Sequence, residues 1–144
     1  MALVFREAKL TDVDSIFQCG SNVNSFRVSE RIKFYEVEEL SEWVIDKKNN
    51  ILVVAEHNDA IVGFFFCKVM SSHWAMLDNF YLLPDFRVNK NGEDMFLFLK
   101  GELCQKKIKY LSILVETDKN VLIRYARLLG FSVSNKYQWL EMFI

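Results

Sequence analysis

A chain of 144 residues is the size of one ordinary domain, since single cores divide only beyond roughly 250 residues. Its 51% hydrophobic and 15% aromatic content, with 13 Phe and a single Pro, excludes a disordered or low-complexity chain. With 18 Lys and Arg against 19 Asp and Glu the net charge is -1, so no overall field draws the protein to phosphate backbones or anionic lipid, and neither nucleic acid nor membrane is an expected partner.

In chain order, residues 3–8 (LVFREA) mix apolar and charged positions as a short strand does, and Thr11 followed by Asp14 resembles a capping box that starts a helix. Val13, Ile16 and Phe17 give that helix an apolar stripe, and Gly20 suits its end. Residues 21–28 read as a loop. Residues 29–48 predict a helix, in one piece or two, with Val37, Leu40 and Val44 on one face, Glu38, Glu39 and Glu42 on another, and Lys47 and Lys48 at its C-terminal end. Residues 51–56 and 61–70 are rich in β-branched and aromatic residues, and His57, Asn58 and Asp59 between them predict a hairpin turn.

Residues 74–83 (WAMLDNFYLL) predict a further strand, ended by Pro84 and the polar stretch 85–92. Helical spacing returns over 93–107 through Met95, Leu99 and Leu103. Residues 110–115 read as a buried strand, 119–129 as a helix closed by Gly130, and 131–144 as two short strands around Asn135 and Lys136. Strong burial is expected at Phe64, Leu77, Leu99, Ile113 and Leu129. The order β-α-α-β-β-β-α-β-α-β-β predicts a mixed α/β fold around one sheet, in a single domain spanning 1–144.

The cysteines Cys19, Cys67 and Cys104 are odd in number, widely spaced and without a Cys-x-x-Cys pair, which predicts neither a disulfide framework nor a metal site and fits the reducing cytoplasm. Cys67 and Cys104 lie in apolar contexts that suit core thiols. No apolar run approaches the roughly 18 residues of a membrane span, and residues 1–7 lack the basic head and long apolar stretch of a signal peptide. A cytoplasmic protein, monomeric or homodimeric, is expected.

At Leu82-Leu83-Pro84-Asp85-Phe86-Arg87 and the following loop Arg87-Val88-Asn89-Lys90-Asn91-Gly92, the chain resembles the acetyl-coenzyme A binding motif of the GNAT N-acetyltransferase superfamily. That motif runs from an aliphatic strand end through x-Pro-x-aromatic-Arg to a loop of the form Arg/Gln-x-x-Gly-x-Gly/Ala. Arg87 and Gly92 match it, and Lys90 stands where the first glycine belongs. The opening strand and helix, the segment 59–63 and Leu128-Leu129-Gly130-Phe131 fall in the family's order, so the resemblance covers nearly the whole chain. It implies a mixed, mostly antiparallel sheet of six to seven strands, splayed between strands 4 and 5 and flanked by about four helices.

The resemblance further implies acetyl-coenzyme A as cosubstrate and transfer of its acetyl group to a primary amine, on a small molecule or a peptide. Leu82 and Leu83 correspond to the strand edge that pairs with the pantetheine arm. Arg87, Val88, Asn89, Lys90, Asn91 and Gly92 correspond to the diphosphate loop. Physically, a helix N-terminus carries about half a positive charge and unpaired N–H groups, and small residues let the backbone approach an anion closely. Lys90 gives up the small size and either adds a charge near phosphate or marks a loop without cofactor.

Direct transfer needs a neutral amine, a polarised thioester carbonyl and a proton for the departing thiolate. Asp78, four residues before Leu82, corresponds to a position where many relatives place an acidic base; a strand Asp that fixes a loop or faces solvent is the alternative. Glu116 and His73 are further candidates for the base. The family's acid is often a Tyr four residues before the Gly-Phe pair. Ala126 occupies that place here, with Tyr125 one residue earlier and about 100° around the helix, where it also suits the core stripe of Leu122 and Leu129. Other readings are a GNAT-fold binding module without cofactor and a transferase of another acyl group. The acceptor is expected to be set by residues 21–35, among them Asn22, Asn24, Ser25 and Arg27, and by loops near the C-terminus.

Overall fold

The computed structural model describes residues 2–27 and 29–144; Met1, in the stretch read for a signal peptide, and Val28, at the end of the expected 21–28 loop, lie outside the described residues. Two units follow one another, Met1–Ile113 and Leu114–Ile144. The first holds β1 (Val4–Glu7), α1 (Val13–Ser21), α2 (Val37–Ile45), β2 (Asn50–His57), β3 (Ala60–Val69), β4 (Trp74–Leu82), α3 (Asn91–Gln105) and β5 (Tyr110–Ile113). The second holds α4 (Asn120–Leu128), closed by Gly130 at φ 104°.

The five strands form one sheet in sequence order, antiparallel except for the parallel pair β4 and β5. The hairpin of β2 and β3 turns at Asn58 and Asp59, whose φ values of 49° and 63° are those of the left-handed two-residue turn that matches strand twist. Asn and Asp tolerate that conformation, as the sequence predicts. Because side chains alternate across a strand, the Phe64-Phe65-Phe66 run is buried on both faces. Phe64 and Phe66 pack with Leu52, Val54, Ile16, Phe34 and Leu40 on the face covered by α1 and α2. Phe65 stacks on Phe80, which meets Phe96 of α3 edge-on. Each such ring contributes roughly 1.5–3 kcal/mol by leaving water.

Arg6 ties the start of the chain to this sheet. Its guanidinium makes a bidentate pair with Asp12 at 2.7 and 3.0 Å and reaches Glu56 at 2.6 Å. The Arg6 hydrogen bond holds the Asp12 carboxyl below its ordinary range, and Asp12 also accepts the Lys9 N–H at 2.7 Å. The first helix is therefore entered through a 3-10 turn at Leu10–Asp12 and not through a Thr11 cap.

Phe64, Leu77 and Leu99 are buried as expected, whereas Ile113, on the short edge strand, and Leu129, beside α4, are half-buried. Two expectations need correction. The helix expected over 29–48 is confined to Val37–Ile45: the Ser29 hydroxyl accepts the Arg31 and Ile32 N–H groups in a local turn, and Glu39 accepts the Glu36 N–H to start the helix there. Among the described residues the sheet has five strands and not six to seven, because residues 131–144 form no regular element. Strand-like alternation becomes a strand only where a neighbouring chain accepts its backbone hydrogen bonds. The four α-helices agree with expectation, and among the described residues no helix is long and apolar enough to cross a membrane.

Two irregularities shape β4. Its pairing with β5 runs from Trp74 opposite Tyr110 to Leu77 opposite Ile113 and stops, although β4 continues to Leu82. Its pairing with β3 skips a residue: Phe66 lies opposite Asn79 and Cys67 opposite Leu77, so Asp78 is the extra residue of a β-bulge. Close contact of β3 with the far end of β4 depends on Gly63, where a Cβ would lie 2.5 Å from the Tyr81 carbonyl oxygen and 2.5 Å from Leu82 Cδ2. Because one of these atoms is backbone, Gly63→Ala should cost about 1–3 kcal/mol by overpacking. A lower urea midpoint at unchanged slope is the expected result; an unchanged midpoint shows that the strands yield freely.

Candidate active site

The bulge gives Asp78 its setting. A bulge places two residues against one, so Asp78 and Asn79 both oppose Phe66. Asp78 reaches solvent yet is crowded by protein on most sides. The Tyr35 hydroxyl donates a hydrogen bond of 3.0 Å to its Oδ2. Tyr35 is held in turn by rings: it meets Trp43 edge-on at 4.4 Å and Phe66 at 6.0 Å, and Trp43 stacks on Phe66 at 4.2 Å. Burial raises the Asp78 pKa, against the smaller opposing effects of the Tyr35 hydrogen bond and the Lys68 charge. Burial, with the neighbouring carboxylate, also raises the Tyr35 pKa, so its hydroxyl keeps its proton and remains a donor. A carboxylate with raised affinity for a proton, open to solvent and oriented by a fixed hydroxyl, is suited to general base chemistry.

The same surroundings push the Cys67 thiol up to about 12, by burial and then by the charge of Asp78, which excludes it as a thiolate nucleophile at neutral pH. Beside Asp78, Asn79 is only 5% exposed, and its Oδ1 is the buried side-chain polar atom without a partner among the described residues.

The loop after β4 is built around backbone conformation. Pro84–Phe86 form a 3-10 turn, and the Arg87 Nε donates to the Leu82 carbonyl at 2.8 Å while its guanidinium lies 5.2 Å from the Tyr81 ring centre. Arg87 is thus anchored to the strand end. Asn91, 5% exposed, closes the loop by donating to the Phe86 carbonyl at 2.9 Å. Asn89 and Lys90 adopt positive φ, 53° and 62°. Lys90 immediately precedes α3, its carbonyl accepts the Asp94 N–H, and no side chain caps the helix. The positive end of the α3 dipole therefore opens beside Val88, Asn89 and Lys90, with Gly92 in its first turn. Leu82 is buried, and the partly exposed Leu83 donates its N–H to the Val62 carbonyl at 2.8 Å. A groove of about 550 Å³, lined by Gln18, Asn22, Asp59, Tyr81 and Leu83 among others, lies between α1, the hairpin turn and this strand end.

Asp78 and the loop share the first unit. Glu116 and Tyr125 belong to the second: Glu116 is exposed, 3.9 Å from Lys119, and Tyr125 is half-buried on α4. His73 is exposed, and its carbonyl accepts the Lys109 and Tyr110 N–H groups that begin β5. Tyr35 and Asn79 carry no signal in the sequence. Tyr35 reaches Asp78 across 43 residues, and Asn79 reads as one polar residue in an apolar strand. Among the described residues no group of three or more His, Cys, Asp or Glu is placed to hold a metal ion.

Comparison with known proteins follows the same lines. The sequence model of the acetyltransferase (GNAT) family matches residues 19–131. No curated protein sequence matches. Among solved structures, the PaiA N-acetyltransferase of Thermoplasma acidophilum in complex with coenzyme A superposes with a TM-score of 0.80 at 17% identity, over 95% of this chain and 94% of that one. A transcriptional regulator from Bacillus halodurans C-125 gives 0.79 at 16% identity, over 98% and 100%. AAC(6')-Iy in complex with a bisubstrate analogue gives 0.79 at 11% identity, over 100% of both chains. At these identities the likeness shows the fold.

Two stability measurements check the site. Lys90→Gly should stabilise the protein by about 1 kcal/mol, because a side chain at positive φ costs roughly that much and glycine escapes it; no gain in denaturant midpoint means that Lys90 is held by contacts that outweigh the strain. The raised pKa of Asp78 means that the folded state binds its proton more tightly than the unfolded state. Stability contributed by this group is therefore lost as pH rises from the ordinary 3.8 through the raised value. Asp78→Asn should melt no lower than the parent at pH 7, with any advantage vanishing below pH 3.8; a variant less stable at pH 7 shows that the charge is held by the fold.

Proposed function

Because this chain belongs to the acetyltransferase (GNAT) family, we propose that it transfers an acetyl group from acetyl-coenzyme A to a primary amine, with Asp78 as general base. The observation that carries this reading is the bulge: it sets a proton-hungry carboxylate at the point where β4 leaves β5 and offers an unshared backbone edge. Acetyl-coenzyme A supplies an activated thioester. The β4 edge toward Leu82 and Leu83 would hold the extended arm, since an edge recognises amide chains through backbone groups alone. The loop of Arg87, Val88, Asn89, Lys90, Asn91 and Gly92, at the open start of α3, would hold the diphosphate.

Asp78 takes the proton of the acceptor ammonium. The freed nitrogen lone pair attacks the thioester carbonyl, a C–N bond forms, the C–S bond breaks and the thiolate leaves, while the nitrogen gives up its second proton to water and ends as a neutral amide. With an ordinary thiol pKa near 8.5 the thiolate can take its proton from water, and Tyr125 is the side chain proposed to supply it more directly. Glu116 is the alternative base. For the acceptor, structures of the same fold include AAC(6')-Iy with a bisubstrate analogue, an aminoglycoside acetyltransferase in complex with sisomicin and a ribosomal-protein-alanine N-acetyltransferase, which supports a primary amine carried by a small molecule or a peptide. The family match spans parts of both units, which supports a single domain over 1–144. Lys90 in the diphosphate loop favours one other reading, a binding module that kept the fold and lost the cofactor.

A ligand bound only by the native state must stabilise it, by about 2.7 kcal/mol at 100 times its dissociation constant. Acetyl-coenzyme A is therefore expected to raise the melting temperature, and no shift at millimolar ligand, in protein shown to be folded, selects the module. With primary amines as acceptors and thiol release as the readout, Asp78→Asn should lower turnover by about 10²-fold. Tyr35→Phe removes a hydrogen bond that favours the charged carboxylate, so the acid limb of the pH–rate profile should move to higher pH. An acid limb that persists in Asp78→Asn moves the base to Glu116 or water.

A further inference from the structure

Asn79 is buried to 5% exposure in the middle of β4, and its Oδ1 has no hydrogen-bond partner among the described residues. An unpaired polar atom in such a place costs roughly 1–3 kcal/mol, and an apolar side chain of the same size would avoid the cost. A buried water needs two or more polar partners. Around Asn79 the fold supplies mainly rings: Phe66 lies directly opposite, and Tyr81 follows two residues on along the same face. Asp78, the extra residue of the bulge, directly precedes Asn79. The bulge turns both residues toward the face on which Tyr35 and Trp43 pack against Phe66, and Tyr35 engages Oδ2 of Asp78, so Oδ1 is the oxygen left for an incoming ammonium.

We propose that Asn79 is a substrate-binding residue whose amide oxygen accepts a hydrogen bond from the acceptor nitrogen held beside Asp78. The inference rests on the acetyltransferase reading. A primary ammonium has three N–H donors, of which one passes its proton to Asp78. A second, held by Asn79 before and after that transfer, fixes the nitrogen so that its lone pair points in one direction. Asn79 thereby selects acceptors that keep an N–H at the reacting atom, and amines without one leave its oxygen unpaired.

The test uses two coenzyme A adducts: the thioether bearing an N-methyl acetamide, CoA–S–CH2–CO–NH–CH3, and the corresponding methyl ester, CoA–S–CH2–CO–O–CH3. They differ in the N–H that a transferred acetyl group would share with its acceptor. Calorimetry on the full chain should show the amide binding about tenfold more tightly than the ester. Asn79→Leu should bind the two alike, bind free coenzyme A as the parent does, and melt no lower than the parent. Equal binding of the adducts by the parent, or a preference that survives in Asn79→Leu, overturns the inference and leaves the acetyltransferase reading intact. A markedly lower melting temperature points to a buried water or an internal partner and also overturns it. Binding of neither adduct removes the acetyltransferase reading, and the inference with it. If the leucine variant does not fold, Asn79→Ala carries the same comparison.

Discussion

One skipped residue in the pairing of β3 with β4 organises this molecule. Regular pairing would alternate Asp78 and Asn79 between the faces of the sheet and bury one of them among the rings on either side. The bulge sends both toward one face, where Tyr35 can reach the carboxylate. It falls just past the last pair of β4 with β5, so the irregular point of one ladder coincides with the end of the other. Backbone groups and side chains that a regular sheet would use internally become available there together.

Such a point needs rigid support, because a local irregularity in the ladder removes hydrogen bonds that would otherwise hold it. The support is aromatic. Phe66 lies across from the bulge, Trp43 stacks on it, and Tyr35 rests edge-on against Trp43. On the opposite face Phe65, Phe80 and Phe96 form a second series of rings. Rings fill the volume with few rotatable bonds, so the position of Asp78 is set by packing as much as by hydrogen bonding. The high phenylalanine content thus has a role in the site as well as in stability.

The loop before α3 follows a different logic. Its side chains Arg87 and Asn91 point back to carbonyl groups of the strand end and the turn, and its backbone bends through left-handed residues at 89 and 90. What the loop leaves open is the end of a helix, and its side chains Arg87 and Asn91 preserve that shape. Glycine suits such a position because positive φ costs it nothing, and Lys90 takes the same conformation with strain.

Most of the framework was legible in the sequence because it depends on local patterns. Alternating and continuous apolar runs specify strands, Asn58-Asp59 specifies a turn, Met95, Leu99 and Leu103 specify a helix face, and Pro84 ends a strand. The loop from Arg87 to Gly92 and the carboxylate at Asp78 were legible for a similar reason, since motif and spacing are properties of a short segment. Tertiary structure alone decided whether 131–144 forms strands, where α2 begins, that Arg87 is anchored, and that Tyr35 and Asn79 join Asp78. Each of these depends on a partner distant in the chain: a neighbouring edge, a carbonyl, a carboxylate 43 residues away, or a register slip between two strands. Sequence spacing reports what a segment can do, and only the packed fold reports which of its polar groups are satisfied and which remain for a ligand.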